Sequence, residues 1–179
     1  MKTDKLCVGC EQCNKKAPMF ASLSQEELGI INKDRYSVRF HAGEVILKQG
    51  TKADYLISLI DGFARMYIEG HNNRNLVLDF LIPWKLIGGP GAHSNGKHRY
   101  NVVAVRETLV CFLEVESFKK VLAMNSDFSS EVLTYCSNNY LTTLDRMVGL
   151  SQKQMHGRIA DALIYLTGEI YESDIIGSE

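Results

Sequence analysis

The chain has 179 residues, 45% hydrophobic and 23% charged, with 20 Lys and Arg against 21 Asp and Glu and a net charge of −1. This is the composition of an ordinary globular protein with room for one sizeable core and an appendage. It excludes a strongly basic nucleic-acid surface as the character of the segment as a whole, and no run of about 18 apolar residues could cross a bilayer.

Residues 1–20 form a leader that carries Cys7, Cys10 and Cys13 and shows little hydrophobic periodicity. It lacks the apolar stretch of a signal peptide, so the expected location is cytoplasmic. Thiols stay reduced there, and clustered cysteines read as metal ligands before disulfides. Ser24 with Glu27 three residues later is a capping box, and Leu28, Ile30 and Ile31 give the short helix behind it an apolar side.

Residues 36–114 read as β structure. The runs Tyr36–His41, Glu44–Lys48, Tyr55–Ile60, Phe63–Glu69, Asn75–Leu81, Asn101–Val105 and Leu109–Leu113 are rich in β-branched and aromatic residues, and Gly43, Gly50, Gly62 and Gly70 punctuate them. Seven or so short strands at this spacing predict a barrel or jelly roll.

After residue 115 the period changes. Glu116–Met124 is expected to be one helix. No proline follows Ser126, and Leu133, Tyr140 and Met147 recur every seven residues with Cys136, Leu144 and Val148 beside them. That is a narrow apolar seam on a helix of roughly 30 residues. Leu133, Tyr140, Leu144 and Met147 are the expected interface of a parallel homodimer; the alternative is that the seam lies on the chain's own β domain. Gly149 and Gly157 weaken the helix locally, and Ile159, Leu163, Leu166 and Ile170 mark a second amphipathic segment.

The run HAGEVILKQGTKADYLISLIDGFARMYIEG, with Gly43–Glu44 opening a strand, Gly50 ending it and Gly62 closing the next, resembles the cyclic-nucleotide-binding β-roll of CRP/FNR transcription regulators. VRETLVCFLEVESFKKVL is similar to the strand-to-helix segment that precedes the dimerisation helix of that family. LSQKQMHGRIADALIYLTGEI is similar to the end of that helix and the start of the DNA-binding domain. The resemblance covers most of residues 20–170. It implies a mainly β fold with α, a double-stranded β-roll (jelly roll) followed by a long dimerisation helix. The implied division is a leader at 1–20, a sensor roll at 21–124, a dimerisation helix at 125–157 and the start of a DNA-binding domain at 158–179. It further implies a homodimer with no membrane association and no enzymatic activity, which contacts DNA through a C-terminal helix-turn-helix. The chain is expected to stop before that element.

Members of this family that bind cyclic AMP carry a glycine-glutamate pair and, about ten residues later, an arginine that neutralises the cyclic phosphate. Here Gly88–Gly89 has no following glutamate. The arginine position falls on Tyr100 and the next on Asn101, and Arg99 is one residue off, on the opposite face of a strand. Cyclic AMP is therefore not the expected effector. A different small organic effector near Gly88, Gly89, His93, Arg99 and Tyr100 stays open, beside the reading of these residues as a surface loop.

Cys7, Cys10 and Cys13 form C-x2-C-x2-C, a spacing that can wrap three corners of a [4Fe–4S] cluster. The oxygen-sensing branch that the chain resembles adds a fourth cysteine in the strand before the dimer helix, which the stretch ETLVC puts at Cys111. That branch spaces its leader cysteines C-x2-C-x5-C, so the second gap departs from the pattern. A four-cysteine zinc site, a thiol switch and an unliganded tail remain as alternatives, as does a stand-alone ligand-binding module with structural zinc. His41, His71, His93, His98 and His156 do not cluster and read as surface residues; a haem sensor would need one as an axial ligand. No nucleophile–base order, paired-carboxylate motif or phosphate-cradling loop points to an enzyme.

Overall fold

Strand-forming runs broken by glycine corners fold here into two stacked sheets. In the computed structural model, which describes residues 17–94 and 96–171, the strands are β1 (Tyr36–Phe40), β2 (Val45–Leu47), β3 (Tyr55–Asp61), β4 (Ala64–Glu69), β5 (Asn75–Leu81), β6 (Leu86–Ile87), β7 (Asn101–Ala104) and β8 (Thr108–Glu114). One antiparallel sheet runs β1-β8-β3-β6 and the other β2-β7-β4-β5. The expected jelly roll is the observed architecture. β1 pairs with β8 along the whole of β1, with Tyr36 opposite Phe112 and Phe40 opposite Thr108.

Side chains alternate across each strand, and the inward row makes the core. Val38, Ile57, Leu59, Val102, Val110 and Phe112 are buried between the sheets. Tyr36 stacks on Phe112 at 4.8 Å between ring centroids, and Tyr55 meets both rings edge-on, at 5.3 Å from Tyr36 and 6.2 Å from Phe112. The roll is thereby filled with aromatic rings from three strands.

Gly62 shows why glycine marks the corners. Its φ is +99°, and a Cβ there would lie 2.4 Å from the Glu107 carbonyl oxygen. The β3–β4 turn can press onto the start of β8 only without a side chain. Buried Thr108 completes the lock: its Oγ1 accepts from the Phe63 N–H at 3.2 Å and donates to the Phe63 carbonyl at 3.1 Å.

Helix α1 (Gln25–Asn32) starts at the predicted capping box: Ser24 Oγ accepts from the Glu27 N–H, and Glu27 Oε2 accepts from the Ser24 N–H. The other Glu27 oxygen accepts from Asn125 Nδ2 at 3.0 Å. The hydrogen bonds from Ser24 and Asn125 hold the Glu27 carboxyl below its ordinary pKa. Asn125 also caps α4 (Ser126–Gln152), its Oδ1 accepting from the Phe128 N–H at 2.9 Å. Between them lies α3 (Val115–Met124), which packs on α1 and along β8. Phe20, Phe118 and Phe128 form a second, buried aromatic cluster with centroids 5.5–6.4 Å apart.

The chain divides into two compact units between Ser129 and Ser130. In the second unit α4 ends at Gln152, and Gly157 lies inside the next helix, α5 (Met155–Tyr165). The long helix is thus 27 residues, about 40 Å at 1.5 Å per residue, shorter than the seam predicts. Arg158 Nε donates to the Lys153 carbonyl at 2.8 Å, and Lys153 Nζ pairs with Asp161 at 2.8 Å. The first contact serves the carbonyl just past the helix end and the second ties that turn to α5. Arg146 lies over the Tyr165 ring at 4.5 Å. Among the strands and α-helices two go beyond the sequence reading: β6, two residues that pair with Ile57 and Ser58, and α2 (Gly89–His93), whose sequence GPGAH reads as loop.

Candidate functional site

Cys111 sits in the middle of β8, flanked by β1 and β3, and its cross-strand partners are Ser37 and Ser58. Val110 and Phe112 face the core between the sheets, so strand alternation turns Cys111 to the other face. The thiol residue is 5% exposed, and both serines are buried with it. Arg35, between α1 and β1, reaches over this group. Its Nη1 lies 3.5 Å from Cys111 Sγ and 3.5 Å from Ser37 Oγ, and its Nε donates to Asn32 Oδ1 at 2.9 Å. The Cys111 thiol is thus buried beside a guanidinium and a hydroxyl, two groups that can donate to a sulfur. Cys7, Cys10 and Cys13 lie outside the described residues. Among the described residues no group of three or more His, Cys, Asp or Glu is placed to hold a metal. Cys136 is exposed on α4.

The glycine loop makes a second cluster. Gly88 precedes α2 with φ +101°, and a Cβ there would lie 3.2 Å from the Tyr55 carbonyl and 3.6 Å from His98 Cε1. The Gly88 N–H donates to the Tyr100 hydroxyl at 2.9 Å, and Tyr100 packs against the inner core. Of the five residues expected at an effector pocket, Gly88, Gly89 and Tyr100 are therefore together. His93 is at the surface at the end of α2, where partial desolvation and then Lys119 lower its pKa while Glu116 opposes them. Arg99 is exposed and precedes β7, which begins at Asn101. The expectation that Arg99 faces outward from within a strand is thus corrected: the backbone has not yet entered the ladder.

His98 is a second correction. It is 4% exposed, not a surface residue, and its Nδ1 has no hydrogen-bond partner. Backbone bonds draw it inward: its carbonyl accepts from the Gly50 N–H at 2.8 Å and its N–H donates to the Thr51 carbonyl at 2.9 Å. Burial lowers its pKa, with Asp54 opposing. A spacing argument among histidines could not reveal this, because the burial comes from two loops far apart in sequence.

In the helical unit the predicted seam is bare. Leu133, Tyr140 and Met147 are 68, 63 and 60% exposed, Leu144 is 37% exposed, and Leu141, Val148 and Leu150 widen the stripe. Met155, Ile159, Leu163 and Ile164 are exposed on α5. No helix among the described residues is long and apolar enough to cross a membrane.

The model of the cyclic nucleotide-binding domain matches residues 37–125, from β1 to the end of α3. The transcriptional activator protein FnrL of Cereibacter sphaeroides is 22% identical over 143 residues, 80% of this chain and 56% of that protein. The cAMP-activated global transcriptional regulator CRP of Salmonella typhimurium is 21% identical over 129 residues, 72% of this chain and 61% of that one. The chain carries a cyclic nucleotide-binding domain fold and is similar to regulators of the CRP/FNR family. It spans less than two thirds of the length of these relatives. The solved structure of FixK2 from Bradyrhizobium japonicum matches this CRP/FNR fold with a TM-score of 0.67 at 19% identity, over 74% of this chain and 66% of that one.

Proposed function

We propose that the chain is the sensing and dimerising part of a DNA-binding transcription regulator, and that it responds to oxygen or redox state through an iron–sulfur cluster ligated by Cys7, Cys10, Cys13 and Cys111. Cyclic AMP is not its effector. The observation that carries the reading is Cys111: a buried cysteine at the centre of β8 with a guanidinium at 3.5 Å from its sulfur. The similarity to FnrL and the cysteine-bearing leader support it.

When bound, the cluster supplies an oxygen-labile, thiolate-held centre. The chain's own part is to hold Cys111 rigidly in a central strand and to pass any shift of it onward. β8 runs straight into α3, and α3 into α4. A change at Cys111 therefore acts on the segment that leads to the bare seam of α4, where a second copy would bury Leu133, Tyr140, Leu144 and Met147. This is a two-state element biased by a local bond change. The α2 segment carries no acidic side chain in its first turn, and Arg99 is exposed and outside the strand; both support an effector other than cyclic AMP.

The test is metal content and visible absorption of protein purified without oxygen. The expected result is about four irons per chain, a broad visible band that bleaches in air, and loss of both in Cys111→Ser. One zinc and no colour would replace the cluster by a structural clip. A second reading, a small organic effector beside Gly88, is favoured by the buried, unpartnered Nδ1 of His98; it is the one to pursue if neither metal is present.

A further inference from the structure

Arg35 is held at two points. Asn32, at the C-terminal end of α1, takes its Nε at 2.9 Å, and this aims Nη1 at Ser37 Oγ and Cys111 Sγ, each 3.5 Å away. A guanidinium is a planar fork of donors with no acceptor and no neutral form near physiological pH. Clamped in this way, its Nη1 can donate to Ser37 Oγ and to the sulfur but can accept from neither. A neutral thiol is a weak acceptor, whereas a sulfur that carries ligand charge is a strong one.

We propose that Arg35 is the positioning residue for Cys111, donating a charge-assisted hydrogen bond to its sulfur with Asn32 as the clamp that fixes the guanidinium. The proposal rests on the reading of Cys111 as a ligand and deepens that reading by naming the outer group that orients and tunes it. Donors to ligand sulfurs set the stability and potential of thiolate-held centres. The three groups come from three places in the sequence, the end of α1, the start of β1 and the middle of β8, and only the β1–β8 pairing joins them. Lysine would keep the charge but could not span Asn32, Ser37 and Cys111 with one rigid fork.

The experiment uses the full chain, reduced and free of metal, and follows alkylation of each cysteine by iodoacetamide with peptide mass mapping. In Arg35→Gln the rate at Cys111 is expected to fall about fivefold, the worth of about one hydrogen bond, with Cys136 on α4 unchanged as the internal control. Arg35→Lys is expected to recover part of the loss. Asn32→Ala, which frees the guanidinium but keeps it, is expected to fall between wild type and Arg35→Gln, and it carries the test if Arg35→Gln does not fold. Unchanged Cys111 rates in the folded variants would overturn the proposal. In protein loaded without oxygen, Arg35→Gln is also expected to bleach faster in air than wild type. A wild-type chain that takes up neither iron nor zinc would end the ligand reading, while the alkylation rates would still decide the role of Arg35.

Discussion

The two units of this chain treat the same kinds of residue in opposite ways. In the roll the large apolar side chains of β3 and β8 are buried almost without exception, from Leu56 to Ile60 and from Val110 to Leu113. In the helical unit Leu133, Tyr140, Met147, Ile159 and Leu163 are all more than half exposed. The boundary is sharp: Phe128, two residues before the second unit begins, is fully buried against Phe20 and Phe118. The roll carries its own core, and the helices carry half of one. An apolar stripe of this size, left exposed on a helix, is the kind of surface that a partner buries.

The comparison breaks most readily at Phe118. Phe118→Ala opens a cavity among three rings and is expected to cost about 3–5 kcal/mol in urea unfolding of the roll. Leu133→Ala, measured on dilute protein, is expected to change stability by no more than about 0.5 kcal/mol. Similar losses from the two substitutions would mean that the stripe is already packed within one chain and that the contrast is false.

Much of this division is legible in the sequence, because period and composition report local geometry. Alternation between glycine corners marks seven of the strands, Ser24 and Glu27 mark the start of α1, and the seven-residue recurrence of Leu133, Tyr140 and Met147 marks the seam. What escapes is either too short for periodicity or made by distant pairing. β6 has two residues, and α2 is hidden by Gly89 and Pro90. Arg35 and Cys111 are 76 positions apart and meet only because β1 pairs with β8. His98 looks like any loop histidine until Gly50 and Thr51 bind its backbone. The sequence signal for Cys111, its place before the helix, identifies a residue but not the group around it.

The helical side of the comparison is sharpened by charge. Leu133→Lys together with Tyr140→Lys is expected to weaken self-association measured by sedimentation velocity. Each lost apolar contact is worth about 1.5–3 kcal/mol of burial, about tenfold or more in Kd. The urea midpoint of the roll should stay where it is. If the double variant associates as wild type does, the partner of the stripe is something other than a second copy.

The smallest effect lies inside the roll, at the one place among the described residues where its packing leaves a buried polar side-chain atom unpaired. His98 is buried with Nδ1 unpartnered, and burial, opposed by Asp54, sets its folded pKa below the unfolded value of about 6.5. The sign follows from linkage. Above about pH 6.5 the histidine is neutral in both states and contributes no pH dependence. Below it the unfolded chain binds the proton first, so stability falls as pH drops from 7 towards 5, by at most about 1.4 kcal/mol per pH unit for one group. Glu27, held low by Ser24 and Asn125, acts in a separate window: its contribution is present above its unfolded pKa near 4.5 and is lost only as the pH falls below that. His93 is lowered as well, but its surface position makes it the weaker contributor. Melting temperatures of wild type and His98→Gln, each at pH 7 and pH 5.5, separate the terms: the wild type should lose more on acidification than the variant. An equal loss in both would assign the acid sensitivity to groups other than His98.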